Sequence, residues 1–479
     1  MGMGGAGVAS VRGAHALYWN PATLARGPAG RRKPPGDPEK QQAEAVAGVA
    51  TGPGFNIGGG LSFVAAATSD TVEAVDTLAD DLGNLDLASI RSQLDAGTPL
   101  SQSDLQLALK IVAEDLPALS EEGNGIILEA IGGPAAQVGR FGFGFFLSAH
   151  GGLETVIDLT GLAFGDEGIA GFLGAGQDRS GQLSASGQSF ADQLASGGNI
   201  TQNQAEELVF QAEQGGVNSS NPSSQNMLQN IVNQTAANQG GDIANSFTDN
   251  ESGVIFRGIF VQEVSAGYGH PFGEWLALGV AAKLMYASTY SDAFFLTDLP
   301  EGEDLLEAFK ERENEEGSLN FGFDAGILFT PFHWLAAGVT GHNLNAPSFE
   351  REGGGSFQLE PQARAGVEVR PLPFLSFAAD IDLYKYENEF LPGYKSQILG
   401  GGAQVELGPV ALRAGASKNL ADEEESVVIH AGLGVRMGYF SLDAAAMLTP
   451  HFEGISAESG AEVPQRAGAS LTLGFNIPF

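Results

Sequence analysis

Gln465-Arg-Ala-Gly-Ala-Ser-Leu-Thr-Leu-Gly-Phe-Asn-Ile-Pro-Phe479 alternates along its length. Ala467, Ala469, Leu471, Leu473, Phe475, Ile477 and Phe479 take every second position. Arg466, Gly468, Ser470, Thr472, Gly474 and Asn476 lie between them. A period of two sends alternate side chains to opposite faces, so this is a β-strand with one apolar side. The pattern recurs in Ser318–Thr330, Gln362–Arg370, Leu375–Leu383, Leu399–Leu407, Val410–Ala416, Val427–Val435 and Phe440–Leu448. In most of these strands the second face carries charge, as Arg364, Glu368, Asp380, Asp382 and Arg413 do. A transmembrane barrel produces this alternation, and so does a soluble sheet that buries its apolar face. Alternation alone does not separate the two.

Composition narrows the choice. The chain has 479 residues, 58 acidic against 23 basic, and a formal charge of −35. That balance argues against nucleic acid, which needs basic surface. There are no cysteines, which excludes disulfides, a thiolate nucleophile and cysteine-based metal sites. The 68 glycines follow no collagen register and suit tight turns and small strand positions. No apolar run reaches the ~20 residues of a transmembrane helix, whereas a barrel strand needs only ~10 with one apolar face. The opening Met1-Gly2-Met3-Gly4 has neither basic region nor apolar core. Since an outer-membrane protein must be exported, the sequence is expected to begin near the mature N-terminus.

The connections discriminate better. Pro331-Phe332-His333, Pro371-Leu372-Pro373, Gly408-Pro409 and Met437-Gly438 are short, and they alternate with the long stretches 292–317, 343–360, 418–425 and 449–464. Short turns on one rim and long loops on the other are the pattern of outer-membrane barrels. Phe329, Phe332, Trp334, Phe374, Tyr439 and Phe440 sit beside the short turns, where an interfacial aromatic girdle belongs. Upstream, Val254–Tyr268 and Trp275–Tyr290 read as strands joined by His270-Pro271-Phe272-Gly273. Gly139–Ala149, Asn56–Thr68 and Ala43–Thr51 add more. The expectation is an all-β, closed antiparallel transmembrane β-barrel of about fourteen strands over residues 43–479. Two inserts interrupt it. Helical spacing at 71–94 and 103–119, with Ser103 and Gln106 as a capping box, predicts a helical loop over 70–120. Residues 164–250, rich in Gly, Gln, Asn and Ser, read as a mobile polar loop with one helix at 202–214.

Residues 3–25 read MGGAGVASVRGAHALYWNPATLA. The glycine-rich Gly4-Gly5-Ala6-Gly7, then Ala14-His15-Ala16-Leu17-Tyr18-Trp19, then Asn20-Pro21-Ala22 resemble the opening of the FadL family of outer-membrane transporters for long-chain fatty acids and other hydrophobic compounds. A related, TraF-like branch of conjugal-transfer outer-membrane proteins opens similarly. The resemblance implies that residues 1–42 fold into the lumen as a plug carrying Gly4, Gly5, Gly7, Asn20, Pro21 and Ala22. It also implies ligand capture near the external loops and sideways release into the membrane. The terminal Phe479 resembles the assembly signal read by the outer-membrane assembly machinery. Gly2-Met3-Gly4-Gly5-Ala6-Gly7 also fits a dinucleotide-binding pattern, but no strand precedes it and Asn20-Pro21 follows too soon.

No catalytic or metal constellation emerges, and no cofactor is expected. The seven histidines share no zinc spacing, and no G-x-S-x-G elbow is present. His333 and His342 read as a turn and a loop residue. Asp380 and Asp382 share one face and read as lumen charges balanced by Arg364 and Arg413. Phe146, Met285, Leu328 and Met447 break the polar faces of their strands and are candidates for an apolar lumen lining. The acidic loops could bridge lipopolysaccharide through divalent ions, though a solvated acidic surface explains them. Three functions remain: passive uptake of hydrophobic compounds across the outer membrane, a structural or partner-binding component of a conjugation or secretion system, and a porin. The expected surroundings are outer-membrane lipid and a hydrophobic ligand.

Overall fold

A computed structural model describes residues 2–26, 54–84, 101–156, 173–237, 253–295, 317–350, 355–422, 425–450, 452–454 and 462–478. The expected strand at 43–51 and the terminal Phe479 lie outside these residues.

Fourteen antiparallel strands close into a barrel. They are β1 (Gly54–Ala67), β2 (Ile126–Val138), β3 (Phe141–Val156), β4 (Gly253–Phe272), β5 (Leu276–Phe295), β6 (Gly317–Phe332) and β7 (Leu335–His342). The second half comprises β8 (Gln362–Leu372), β9 (Leu375–Asp382), β10 (Ile398–Leu407), β11 (Val410–Asn419), β12 (Val428–Met437), β13 (Phe440–Leu448) and β14 (Arg466–Pro478). The first and last strands pair from Gly54↔Pro478 to Ala66↔Arg466, which closes the wall and removes both sheet edges. The turn after β4 falls at 273–275, later than the sequence suggested, because His270, Pro271 and Phe272 continue the ladder against Leu278, Ala277 and Leu276.

The apolar faces point outward. Leu61, Phe63, Phe141, Phe143, Val280, Phe321, Leu471 and Leu473 are all exposed on the outer wall. A water-soluble sheet would bury such a continuous band, whereas hydrocarbon is its natural solvent. The choice left open by alternation is thereby made: the barrel spans a membrane. Aromatic contacts mark the short-turn rim, with Trp275 and Phe329 at 5.5 Å, Phe332 stacked on Trp334 at 5.3 Å, and Phe440 4.8 Å from Phe475.

The long-loop rim carries a helical domain. Its helices are Ser69–Asn84, Gln102–Lys110 continuing through a π turn at Ile111–Asp115 to Leu119, Ala185–Ser196, Gln202–Gly215 and Pro222–Ala237. The insert expected as a mobile polar loop over 164–250 folds instead into helices across its described residues 173–237. Its few apolar residues recur at helical spacing, and Phe190, Leu194, Leu208, Val209, Leu228 and Val232 bury themselves against Leu105 and Leu109 of the first insert. Two inserts separated along the chain by β2 and β3 thus share one core, and neither had enough apolar surface to declare a domain alone. The helix at Gln102 is capped by Ser101, not Ser103: the Asp104 N–H donates to the Ser101 hydroxyl. A capping box forms instead at Thr201 and Gln204.

Candidate functional site

Residues 2–26 lie inside the barrel. The chain enters through tight turns at Gly4 and Gly5, with φ of +66° and +77° that only glycine adopts without strain. It then forms a helical turn at Ala16–Trp19 and a 3-10 turn at Pro21–Arg26. Asn20 joins the two. Its Nδ2 donates to the Val8 carbonyl at 3.0 Å and to Ile327 of β6 at 3.3 Å, while its Oδ1 accepts from the Ala22 N–H. Pro21 fits the first position of the turn, where no donor is missed. One fully buried asparagine therefore ties the start of the segment, its end and the wall together.

The wall is cut to receive this backbone. A Cβ on Gly326 would come within 2.0 Å of Asn20 Oδ1, and one on Gly279 within 2.1 Å of the Pro21 carbonyl carbon. On the opposite side a Cβ on Gly400 or Gly402 would strike the backbone of Gly4 or Met3. The inward-facing glycines mark the track of the N-terminal segment, which accounts for part of the glycine excess.

Asp380 is the principal polar anchor. Its carboxylate, 2% exposed, accepts from the Gly7 N–H at 2.6 Å and the Val8 N–H at 2.9 Å. Arg364 lies 3.8 Å from Asp380 and 3.6 Å from Asp382, and Asp382 accepts from the Ile398 N–H. Arg413 does not join them as the sequence suggested. It donates to Asp443 and Gln404, both at 2.7 Å, because the ladder sets Arg413 opposite Gln404 and two strands from Asp443.

The four candidate lining residues face inward but do not converge. Phe146 packs with Leu17, Leu24, Ala135 and Ala281, and Leu328 with Ala9, Ala22, Ala25 and Ala336. Met285 joins a cluster higher up, and Met447 sits against Gly468 on the far wall. Phe146 and Leu328 thus hold the N-terminal segment, while Met285 contributes to something the sequence did not reveal. The connection after β7 forms a hairpin, Ser348–Glu350 with Ser356–Gln358, that folds back over the lumen. Phe349 and Phe357 are buried on Met285, Ile259, Val261 and Ala287, and Phe357 stacks on Phe390 at 4.9 Å. The signal for this lid was only two phenylalanines in a polar loop.

The rest of the inner wall carries ion pairs. Lys283 lies 2.8 Å from Asp324 and 3.5 Å from Glu263. His342, read earlier as a plain loop residue, ends β7 with its ring 3.0 Å from Asp324. Arg257 pairs with Glu154, and Arg466 lies 3.6 Å from Glu425. Tyr18, half exposed on the segment, reaches toward Phe146 and His342.

The β2–β3 seam of the wall is interrupted midway. The β2–β3 ladder runs from Ile126↔Leu153 to Gly132↔Leu147 and resumes at Ala135↔Gly144. Gly133 and Pro134 make no rungs between, since proline has no N–H to donate. Phe146 borders this gap from inside. A separate shallow groove of about 460 Å³ on the lipid side, lined by Ala337, Ala365 and Ala379 among others, faces hydrocarbon and belongs to the outer wall.

No curated protein sequence matches the chain. Among solved structures it is similar to the Pseudomonas putida toluene transporter TodX, at 11% identity and a TM-score of 0.43, covering 100% of this chain and 97% of that one. The Ralstonia pickettii toluene transporter TbuX gives 11%, 0.41, 100% and 97% in the same order, and a Pseudomonas aeruginosa FadL homologue gives 10%, 0.40, 100% and 96%. The family model of the F plasmid transfer operon TraF protein matches residues 45–382, most of the chain and most of the barrel. The chain belongs to that TraF family.

Proposed function

We propose that this barrel sits in the outer membrane and passively admits hydrophobic small molecules. The observation that carries this reading is the double closure of the lumen: residues 2–26 fill it from the short-turn side, and the aromatic lid covers it from the long-loop side. An open water pore needs neither. An apolar molecule would exchange with Phe349 and Phe357 at the lid, where the surrounding Ile259, Val261 and Met285 offer an apolar surface in an otherwise polar wall. The missing β2–β3 rungs at Gly133 and Pro134, which pair only with β1, support release sideways into the bilayer, because fewer rungs hold the two strands together there. The N-terminal segment acts as the plug, held by Asp380 and Asn20. Uptake of a labelled alkane into liposomes holding the purified protein tests the reading. Stimulation over empty liposomes is expected, and its absence would refute transport.

A second reading, a partner-binding component of a conjugation or secretion system, is favoured by the helical domain, whose shared core is larger than a loop needs for closure. Stable co-purification of an envelope protein that is lost on deleting 102–119 and 185–237 would support it.

A further inference from the structure

We infer that the lumen selects uncharged apolar molecules and rejects carboxylates, fatty acids included. The inference rests on the uptake reading and names its substrate class. Arg257, Lys283, Arg364 and Arg466 are permanent cations on the inner wall, at the level of the plug and above it. Each already has a carboxylate within 4 Å: Glu154 for Arg257, Glu263 and Asp324 for Lys283, Asp380 and Asp382 for Arg364, and Glu425 for Arg466. Glu129 adds a seventh carboxylate, 3.9 Å from His150 and facing Arg466. Among these groups carboxylates outnumber permanent cations, seven to four.

A fatty carboxylate in the lumen must leave water, and the low-dielectric wall penalises its charge unless a cation compensates it. Here it meets cations whose positions beside carboxylates are filled, and extra negative charge that repels it. Displacing Asp324 from Lys283 would leave a solvent-excluded carboxylate with only His342 and the Asn343 N–H as partners and no permanent counter-charge. An alcohol, alkane or arene of the same size loses nothing of this kind. Its apolar body finds Phe349, Phe357 and Met285, and a single hydroxyl can hydrogen-bond the carboxylates as donor.

The test uses the full chain in phosphatidylcholine nanodiscs at about pH 8, where a fatty acid in water is ionised. Trp275→Phe and Trp334→Phe remove the two lipid-facing indoles, leaving Trp19 of the plug as reporter. Hexadecanol is expected to bind at least about tenfold more tightly than hexadecanoate, as like-charge juxtaposition demands. Glu263→Gln with Asp324→Asn frees Lys283 and should raise the affinity for hexadecanoate relative to hexadecanol by ~10-fold or more. Circular dichroism and heat-modifiable migration verify that this double variant is still a barrel. Equal or tighter binding of hexadecanoate by the parent protein overturns the charge selection while leaving the uptake reading intact. Failure to bind either ligand removes the uptake reading itself, and the inference with it.

Discussion

Replacing Asp380 should release the plug without dismantling the barrel. Its carboxylate receives two backbone N–H groups of the N-terminal segment, from Gly7 and Val8, at a site almost closed to solvent. Hydrogen bonds to a charged group contribute ~1.5–3 kcal/mol each, so losing both in Asp380→Ala costs the docked state about 3–6 kcal/mol. Water entering the vacated space can satisfy part of the two donors, which favours the lower half of that range. At ~1.4 kcal/mol per factor of ten, the undocked population rises by roughly 10²–10³. The absence of cysteine makes this measurable. Ala9→Cys introduces a single thiol at a position 1% exposed in the docked segment. Its labelling by a membrane-impermeant maleimide should be slow alone and faster by about two orders of magnitude with Asp380→Ala. Asp380→Asn keeps an acceptor but no charge, and should fall between. Labelling unchanged within about twofold in Asp380→Ala would mean that Asp380 does not anchor the segment, and the plug argument would lose its main polar support.

Gly326→Ala and Gly279→Ala should each expel the plug, since the new methyl group overlaps Asn20 or Pro21; the Ala9→Cys assay should report rapid labelling while the barrel stays folded. Pro134→Val restores the missing donor on β2, so it should knit the gap to β3 and slow hydrophobic uptake into liposomes, with ligand binding retained. In the helical domain, burial and the hydrogen bond to Asp81 push the Asp115 carboxyl up to about 7. Because its folded pKa lies above the unfolded value, its protonation stabilises the domain at low pH and that stability is lost as pH rises through about 7. Asp115→Asn should therefore raise the thermal midpoint of the helical region at about pH 8 and flatten its pH dependence between about 5 and 8. An unchanged pH profile in the variant would show that Asp115 does not carry the effect.

The sequence by itself determined the membrane-facing architecture. Leu471, Phe321 and Leu61 face hydrocarbon while Thr472, Asn320 and Ser62 face inward, because in a barrel wall each strand meets its two solvents directly and a local period of two records both. Loop lengths then told the two rims apart, and the family resemblance carried by Asn20-Pro21 implied that the N-terminal segment enters the lumen. What met inside the lumen was not legible. Asp380 reaches Gly7 across 373 residues, Arg413 chooses Asp443 over Asp382, and Phe349 folds back onto Met285. Such pairs depend on strand register and on how far the closed sheet shears, neither of which any one strand encodes. The same holds for the helices at 185–237, whose sparse apolar residues become a core only when the helix at 102–119 is brought against them. Only the tertiary structure decided these contacts, because each joins residues far apart in the chain that no local periodicity brings together.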